Sequence, residues 1–354
     1  MHTLRTAIVG CGNIAGSYVE HIKTYPGVEI AGFADVDASR AQVFAAKHGG
    51  RAYTGLDAVL ADPAVDCVIN LTIHHAHYEV IGKCLRAGKH VHSEKPLAMT
   101  YREARELVDL AAARNVRLSC APVTYLGEAQ QTAARLLREG VTGPVRLVYA
   151  EINHGRIESW HPNPKPFYDV GVMWDVGVYP LSLLTALLGP AARVSALGKI
   201  VHPQRRTLAG ETYAVTIPDF IVAMVEFASG PTLRLSTNFY HAGGKQGSAV
   251  EFVGDAGVLW LESAYMFDAR VERAAYGKSF EPVPLARPGF AGIEFGRGVQ
   301  ELATAIAENR PHRASGAHAA HVVELIEGIH NSLTTGSPVA LTSTFEQPAL
   351  MPWA

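Results

Sequence analysis

In the first third of the chain, short apolar runs alternate with stretches of helical spacing. Residues 5–10 (RTAIVG) read as a strand that ends in glycine. Residues 13–25 follow, with Ile14, Tyr18, Ile22 and Tyr25 on one side of a helix. A second strand over 28–35 ends in an acid, and a helix over 38–49 is stopped by Gly49 and Gly50. Strands are predicted over 65–72, 90–94 and 116–123, with helices over 76–88 and 101–115 between them. Repeated βα units of this length imply an α/β domain with a parallel, doubly wound sheet.

The pattern changes near residue 123. After a helix over 128–140, strand-like runs dominate at 145–153, 219–228, 232–239, 248–254 and 257–263. The stretch 255–257 (DAG) reads as a hairpin turn, and 161–166 (HPNPKP) as an extended loop. Two helices close the chain. This half predicts an α+β domain with an open, mostly antiparallel sheet, so domains of 1–123 and 124–354 are expected.

Composition narrows the function. At 354 residues the chain is long enough for two domains, and 48% apolar content suits a sizeable core. A formal net charge of −2 offers no basic surplus for nucleic acid or an anionic membrane. No apolar run approaches the ~18 residues of a membrane span. The opening MHTLRTAIVG reads as a strand almost at once, so no leader segment is expected. Cys11, Cys67, Cys84 and Cys120 are scattered, which suits free thiols in a reducing compartment. A cytoplasmic protein is expected.

The loop after the first strand, GCGNIA (10–15), fits G-x-G-x-x-A and opens a helix. Gly10 permits the tight turn, Gly12 lets a pyrophosphate approach the backbone, and Ala15 allows close helix–strand packing. The helix N-terminus then faces phosphate. Asp35 ends the second strand, where a carboxylate can accept from both adenosine ribose hydroxyls. Asp35 and Asp37 repel a 2′-phosphate and favour NAD; Arg40 can reach such a phosphate, so NADP stays open.

Lys95 leaves the fourth strand in SEKPLA (93–98), at the carboxyl end where open α/β sheets bind ligands. Pro96 fixes its backbone, and a cis bond is one way to do so. In WDVGVYP (174–180), Asp175 sits in an apolar run and Tyr179 follows it by four. On a helix, that spacing puts both on one face.

AIVGCGNIAG, GKHVHSEKPLA and WDVGVYP, in this order, resemble the glucose–fructose oxidoreductase / inositol dehydrogenase / rhizopine catabolism (Gfo/Idh/MocA) family. REGVTGPV and the closing GRGVQELATAI extend the resemblance over nearly the whole chain. It implies an N-terminal Rossmann domain and a C-terminal α/β domain with an open antiparallel sheet. It also implies NAD(P) chemistry on sugar and cyclitol hydroxyls, in a homodimer or homotetramer.

Carried over by position, Lys95 matches the family's catalytic lysine, Glu94 its neighbour near the nicotinamide, and Asp175 the aspartate of the later motif. Tyr179 stands where inositol dehydrogenases have histidine and where the glucose–fructose oxidoreductase and dihydrodiol dehydrogenase branches have tyrosine. The family's Thr-Pro-Asn loop is Thr72-Ile73-His74 here, and an arginine common near the domain junction is Tyr125. The cofactor set implied is Gly10, Gly12, Asn13, Ile14, Asp35, Leu71, Thr72, His74, His77, Glu94 and Lys95.

Hydride transfer from a carbinol needs a proton acceptor, charge stabilisation on oxygen and close positioning. A free tyrosine titrates near pH ~10, and a neighbouring ammonium favours its phenolate. Tyr179 as acid/base with Lys95 as electrostatic partner is one assignment; Lys95 as proton acceptor is the other. Asp175 either orients Lys95 or binds a neighbouring hydroxyl. The loop over 151–171 adds His154, Arg156, Trp160 and His161 as groups able to bind hydroxyls and stack on a sugar face. The histidines at 74, 75, 77, 90 and 92 lack a remote cysteine pair, so local hydrogen bonding is expected rather than a metal site.

The resulting expectation is an NAD-dependent oxidoreductase acting on a secondary hydroxyl of a sugar, glycoside or cyclitol. One alternative is a redox-neutral enzyme with tightly held NAD that cleaves glycosides or passes hydride between substrates. The other is a nucleotide-binding regulator without turnover.

Overall fold

Strands β1 (Leu4–Val9), β2 (Val28–Ala34), β3 (Arg51–Ala52), β4 (Cys67–Asn70), β5 (His90–Ser93) and β6 (Leu118–Cys120) form a parallel sheet in the order β3-β2-β1-β4-β5-β6. The computed structural model describes residues 3–242, 244–245 and 247–354. Helices α1 (Ala15–Ile22), α2 (Ala38–His48), α3 (Leu56–Ala61), α4 (His77–Arg86) and α5 (Tyr101–Ala113) connect the strands. The strand order reverses between β1 and β4, and a doubly wound sheet opens its ligand crevice at the carboxyl ends there. The sequence pattern misses β3 and α3, because two residues and six residues are too few to display a period. Thr100 begins α5 as a cap, its hydroxyl accepting from the Glu103 N–H at 3.3 Å.

The contacts divide the chain into two units, and the division departs from a continuous 124–354 domain. The first unit runs to Val123 and takes in Glu294–Val323, while the second comprises Thr124–Ile293 and Glu324–Ala354. The returning helix Arg297–Ala307 explains the departure. Its Val299 completes a core with Tyr18, Val19 and Ile22, and its Leu302 packs with Leu4 and Cys67. Apolar burial thus assigns this late segment to the first sheet.

In the second unit the further helices are α6 (Glu128–Arg138), α7 (Lys165–Val170) and α8 (Val178–Leu188). Its strands are β7 (Val145–Asn153), β8 (Ala191–Lys199), β9 (Gln204–Arg206), β10 (Thr212–Ala214), β11 (Phe220–Phe227), β12 (Thr232–Asn238), β13 (Val250–Gly254), β14 (Gly257–Leu261), β15 (Val271–Ala275), β16 (Glu281–Val283) and β17 (Val339–Ala340). Nine of them form an open sheet in the order β16-β15-β14-β13-β7-β12-β11-β8-β17, and β9 with β10 forms a separate hairpin. The pairs in the large sheet are antiparallel apart from β7 with β12. Val148, Ala150 and Ile152 of β7 face the core, and α6 and α8 pack on that side. The hairpin expected at 255–257 joins β13 to β14.

Two local expectations change. The loop expected over 161–166 ends early, since α7 starts at Lys165 with Pro166 in its first turn, where a missing N–H costs no helix bond. The regular helix expected through 174–180 is a π turn over Met173–Gly177 that leads into α8.

Candidate active site

In the first unit, Gly10 carries φ +100°, and a Cβ there would lie 2.6 Å from the Leu71 backbone. Only glycine lets β1 end this close to the chain leaving β4. Leu71 is therefore a wall of the turn. Gly12 faces open space where a Cβ would stand, and Asn13 beside it is exposed. Helix α1 starts at an Ile14 cap with no side-chain hydrogen bond; the Ala15 N–H donates to the Gly12 carbonyl at 3.2 Å, and the open helix end favours an anion. Asp35 Oδ2 accepts from the Cys11 N–H at 2.7 Å and Oδ1 from the Asp37 N–H at 2.9 Å. These bonds aim the carboxylate along the glycine loop. Arg40 stands 3.7 Å from Asp37. The cradle, the uncapped helix start and the fixed acid fit a dinucleotide. Burial and the Asp35 charge push the Cys11 thiol up to about 11, so Cys11 is an unreactive small residue of the loop.

Buried polar groups stitch the ends of β4 and β5 together. Asn70 Nδ2 donates to Ser93 Oγ at 3.0 Å, across the pair that the strand register sets. Asn70 Oδ1 accepts from the Thr72 hydroxyl at 2.7 Å, and the Ser93 hydroxyl donates to the Glu94 carbonyl at 3.0 Å. His77 is fully buried, with Nδ1 2.6 Å from the Pro96 carbonyl and Nε2 3.0 Å from the Thr72 carbonyl. Burial lowers its pKa. The ring lies between the Thr72 loop and the turn after Lys95 rather than facing solvent, and as a neutral imidazole it donates to one of the two carbonyls. His74, half-buried, lies edge-on to it with centroids 6.2 Å apart.

Glu94 and Lys95 are half-buried where β5 ends, and the Lys95–Pro96 peptide is cis. The Tyr18 hydroxyl donates to Glu94 Oε1 at 2.7 Å, while Glu94 Oε2 accepts from the Lys95 N–H at 3.1 Å. Sequence reasoning missed Tyr18, Asn70 and Ser93 as site-forming residues. Tyr18 looks like one more apolar position of α1. The only signal for the other two is that each is the polar last residue of its strand.

The neighbouring histidines make local bonds. His90 Nδ1 accepts from the Arg117 N–H at 2.9 Å, and His92 Nδ1 lies 2.8 Å from Ser119 Oγ. Among the described residues, no three His, Cys, Asp or Glu side chains gather as metal ligands.

In the second unit, Asp175 is 8% exposed inside the π turn, and Tyr179 lies in the first turn of α8, half-buried and 5.6 Å from the Tyr265 ring. A Cβ on Gly177 would run into the Met173 side chain, so glycine lets the widened turn close over Met173. Single π turns inside helices recur at functional sites. Tyr125 is buried at 2% exposure in a 3-10 turn, and its carbonyl accepts from Gln131 at 2.7 Å.

The loop after β7 forms an aromatic surface. Trp160 is 53% exposed and packs edge-on against His154, His161 and Phe167 at 5.4–6.2 Å. Arg156 lies 4.6 Å over the Tyr240 ring. Trp160, His154 and His161 thus form one cluster, with Arg156 exposed on the same loop.

A parallel sheet with this glycine loop and acid defines a dinucleotide-binding domain of the Rossmann type. Residues 4–121 match the family model described as "Oxidoreductase family, NAD-binding Rossmann fold", and residues 130–260 match the GFO/IDH/MocA C-terminal domain. The chain belongs to the Gfo/Idh/MocA oxidoreductase family.

An uncharacterized oxidoreductase of Schizosaccharomyces pombe is 30% identical over 55% of this chain and 54% of its own length. The dTDP-3,4-didehydro-2,6-dideoxy-alpha-D-glucose 3-reductase of Actinomadura kijaniata is 27% identical over 78% of this chain and 82% of its own. Human trans-1,2-dihydrobenzene-1,2-diol dehydrogenase is 26% identical over 63% and 65%. The chain therefore spans about half the length of the first of these relatives. The fold is shared with an NAD binding oxidoreductase from Klebsiella pneumoniae at TM-score 0.86 and 21% identity, over 96% of this chain and 100% of that one.

Proposed function

We propose that the chain transfers hydride between NAD and a secondary hydroxyl of a sugar, glycoside or cyclitol, with NADP the poorer cofactor. The observation that carries this reading is Asp175, a carboxylate held 8% exposed in a π turn one turn ahead of Tyr179. Burying a charge in an apolar segment is costly, and such groups concentrate at working sites. The sugar-nucleotide reductase of Actinomadura kijaniata supports a carbohydrate substrate. The exposed Trp160 with its histidine neighbours supports stacking on a sugar face. Asp35 and Asp37 at the end of β2 support NAD over NADP.

When bound, NAD supplies the hydride acceptor. The chain must grip the phosphates, remove the hydroxyl proton and hold the carbinol carbon in line. Gly10, Gly12, Asn13 and Ile14 serve the grip, and Asp35 serves the ribose. Tyr179, as phenolate, takes the proton in one assignment, with the Lys95 ammonium favouring that form; in the other, Lys95 as the neutral amine takes it and becomes the ammonium. Asp175 orients the ammonium or binds an adjacent hydroxyl. Tyr125, His154, Arg156, Trp160 and His161 complete the substrate set.

A carbohydrate and cyclitol panel, read by NADH absorbance with NAD and NADP in parallel, tests the proposal. Reduction of NAD by at least one member, faster than of NADP, is expected. A panel with no NAD reduction, and no NADH oxidation by the matching ketones, contradicts it.

The second-unit sheet supports a homodimer or homotetramer. Its outward face exposes Leu147, Leu197 and Met224 at 42%, 79% and 44%. Light scattering on the purified chain is expected to give two or four copies, and a monomer at micromolar concentration contradicts this. Four buried free cysteines support a reducing, cytoplasmic setting. No helix of the described residues is long and apolar enough to cross a membrane.

A further inference from the structure

We propose that Arg205 is a positioning residue for substrate recognition, acting through the loop that presents Trp160; this rests on the carbohydrate reading above. Arg205 lies on β9 of the small hairpin, far in sequence from that loop, and its side chain is 2% exposed. One guanidinium nitrogen donates to Glu158 Oε1 at 2.7 Å, and another to Asp219 Oδ2 at 2.5 Å. Its plane lies 4.7 Å over the Tyr168 ring. The Tyr168 hydroxyl donates to the second Glu158 oxygen at 2.5 Å.

Each contact closes the same loop. Glu158 stands in the 3-10 turn Ile157–Ser159, and the N–H groups of Trp160 and His161 both donate to the Ile157 carbonyl, at 3.2 and 2.9 Å. The Trp160 backbone is thereby fixed to the turn that carries Glu158. Tyr168 sits in α7 at the far end of the loop, so the Glu158–Tyr168 bond ties the middle of the loop to that end. Asp219 precedes β11 and accepts from the Val201 N–H at 2.6 Å, which ties the clamp to the sheet.

A buried arginine between two carboxylates is poor value as a source of stability, since desolvation offsets most of its attraction. Its fixed planar fork does set geometry, which a lysine cannot reproduce at two carboxylates. What the fork holds in register is the turn beneath an indole that is itself 53% exposed. An exposed aromatic plate recognises a ring only if its backbone does not wander, because ordering it on binding subtracts from affinity.

The test compares wild type with Arg205→Lys, Arg205→Met, Trp160→Ala and Arg205→Lys/Trp160→Ala. Hydrogen exchange is expected to rise over 157–170 in both Arg205 variants, less in the lysine variant, with β7 unchanged. For the best sugar of the panel, Arg205→Met is expected to raise KM about tenfold or more at nearly unchanged kcat and NAD affinity. Trp160→Ala is expected to raise KM similarly, and the double variant no further than Trp160→Ala alone.

Unchanged exchange over 157–170 overturns the inference. So do additive effects in the double variant, or kcat and NAD affinity falling with KM. If Arg205→Met does not fold, the lysine variant and its double decide. A wild type that turns over no carbohydrate contradicts the proposed function instead, and is distinguished by intact NAD binding and an inert panel.

Discussion

The Tyr18 hydroxyl donates a 2.7 Å hydrogen bond to the Glu94 carboxylate, joining the helix after the glycine loop to the residue before Lys95. Tyr18 is 1% exposed, and its ring lies 5.9 Å from Phe295 of the returning segment. The helix that follows the glycine loop is thus mechanically linked to the end of β5, where the proposed nicotinamide contacts lie. Tyr18→Phe removes a bond to a charged group worth about 1.5–3 kcal/mol. We expect weaker binding of NAD with unchanged binding of ADP-ribose, which lacks the nicotinamide. Titrating both ligands by calorimetry checks this; equal weakening of both would mark Tyr18 as a packing residue only.

Gly10→Ala places a Cβ 2.6 Å from the Leu71 backbone at a φ of +100°. The strain is on the order of 1–3 kcal/mol, and β1 must move away from the chain leaving β4. Loss of NAD binding together with a lower thermal midpoint is expected. Asp35→Ser keeps at most one of the two bonds from the Cys11 and Asp37 N–H groups and removes the carboxylate proposed to accept from the ribose. It is expected to weaken NAD by about tenfold and to narrow the preference over NADP, since each charge-assisted bond is worth ~1.5–3 kcal/mol. Unchanged NAD to NADP selectivity would remove Asp35 from the discrimination.

Gly177→Ala drives a side chain into Met173 inside the π turn. Overpacking a buried site costs roughly 1–3 kcal/mol. The strain falls beside Asp175, so a lower kcat at unchanged NAD affinity is expected, with a modest fall in thermal midpoint. Gly177→Ala with Met173→Ala opens room for the new methyl group and should recover part of the rate. Full activity in the single variant would show that the turn does not hold Asp175.

His92 and His318 are buried, and burial pushes each down to about 3 from 6.5. In the unfolded chain these rings take up protons below about pH 6.5, while the folded chain refuses them until about pH 3. Their neutral packing is therefore fully compatible with stability above pH 6.5, and stability falls as the pH drops through that window. The slope is about 1.4 kcal/mol per pH unit for each ring. Urea midpoints should fall between pH 7 and pH 5, and His318→Gln should flatten the pH dependence. An unchanged slope in that variant would place its origin elsewhere.

Gly10, Gly12 and Asp35 are legible in the sequence because a tight βα turn and a strand-end acid are local arrangements. Lys95 is legible because it follows a short strand and precedes proline. Asn70 and Ser93 are not, since their bond depends on strand register, which one sequence does not state. The return of Glu294–Val323 to the first unit is equally hidden, because the partners of Val299 lie at the other end of the chain. The π turn escapes a residue-type reading because it is a change in hydrogen-bond period, with Gly177 its one local clue. Nothing in the sequence singles out Arg205, whose partners Glu158, Tyr168 and Asp219 are brought to it by the fold.

The most direct test of the central claim is the rate of NAD reduction by the best sugar or cyclitol substrate in wild type and in Tyr179→Phe, with NAD affinity measured on both. Removing a positioned acid/base group costs about 10²–10⁴-fold. With Tyr179 as that group, Tyr179→Phe binds NAD as wild type does and reduces it at least about 100-fold more slowly. Near-normal turnover in Tyr179→Phe would contradict that assignment and leave Lys95 as the proton acceptor.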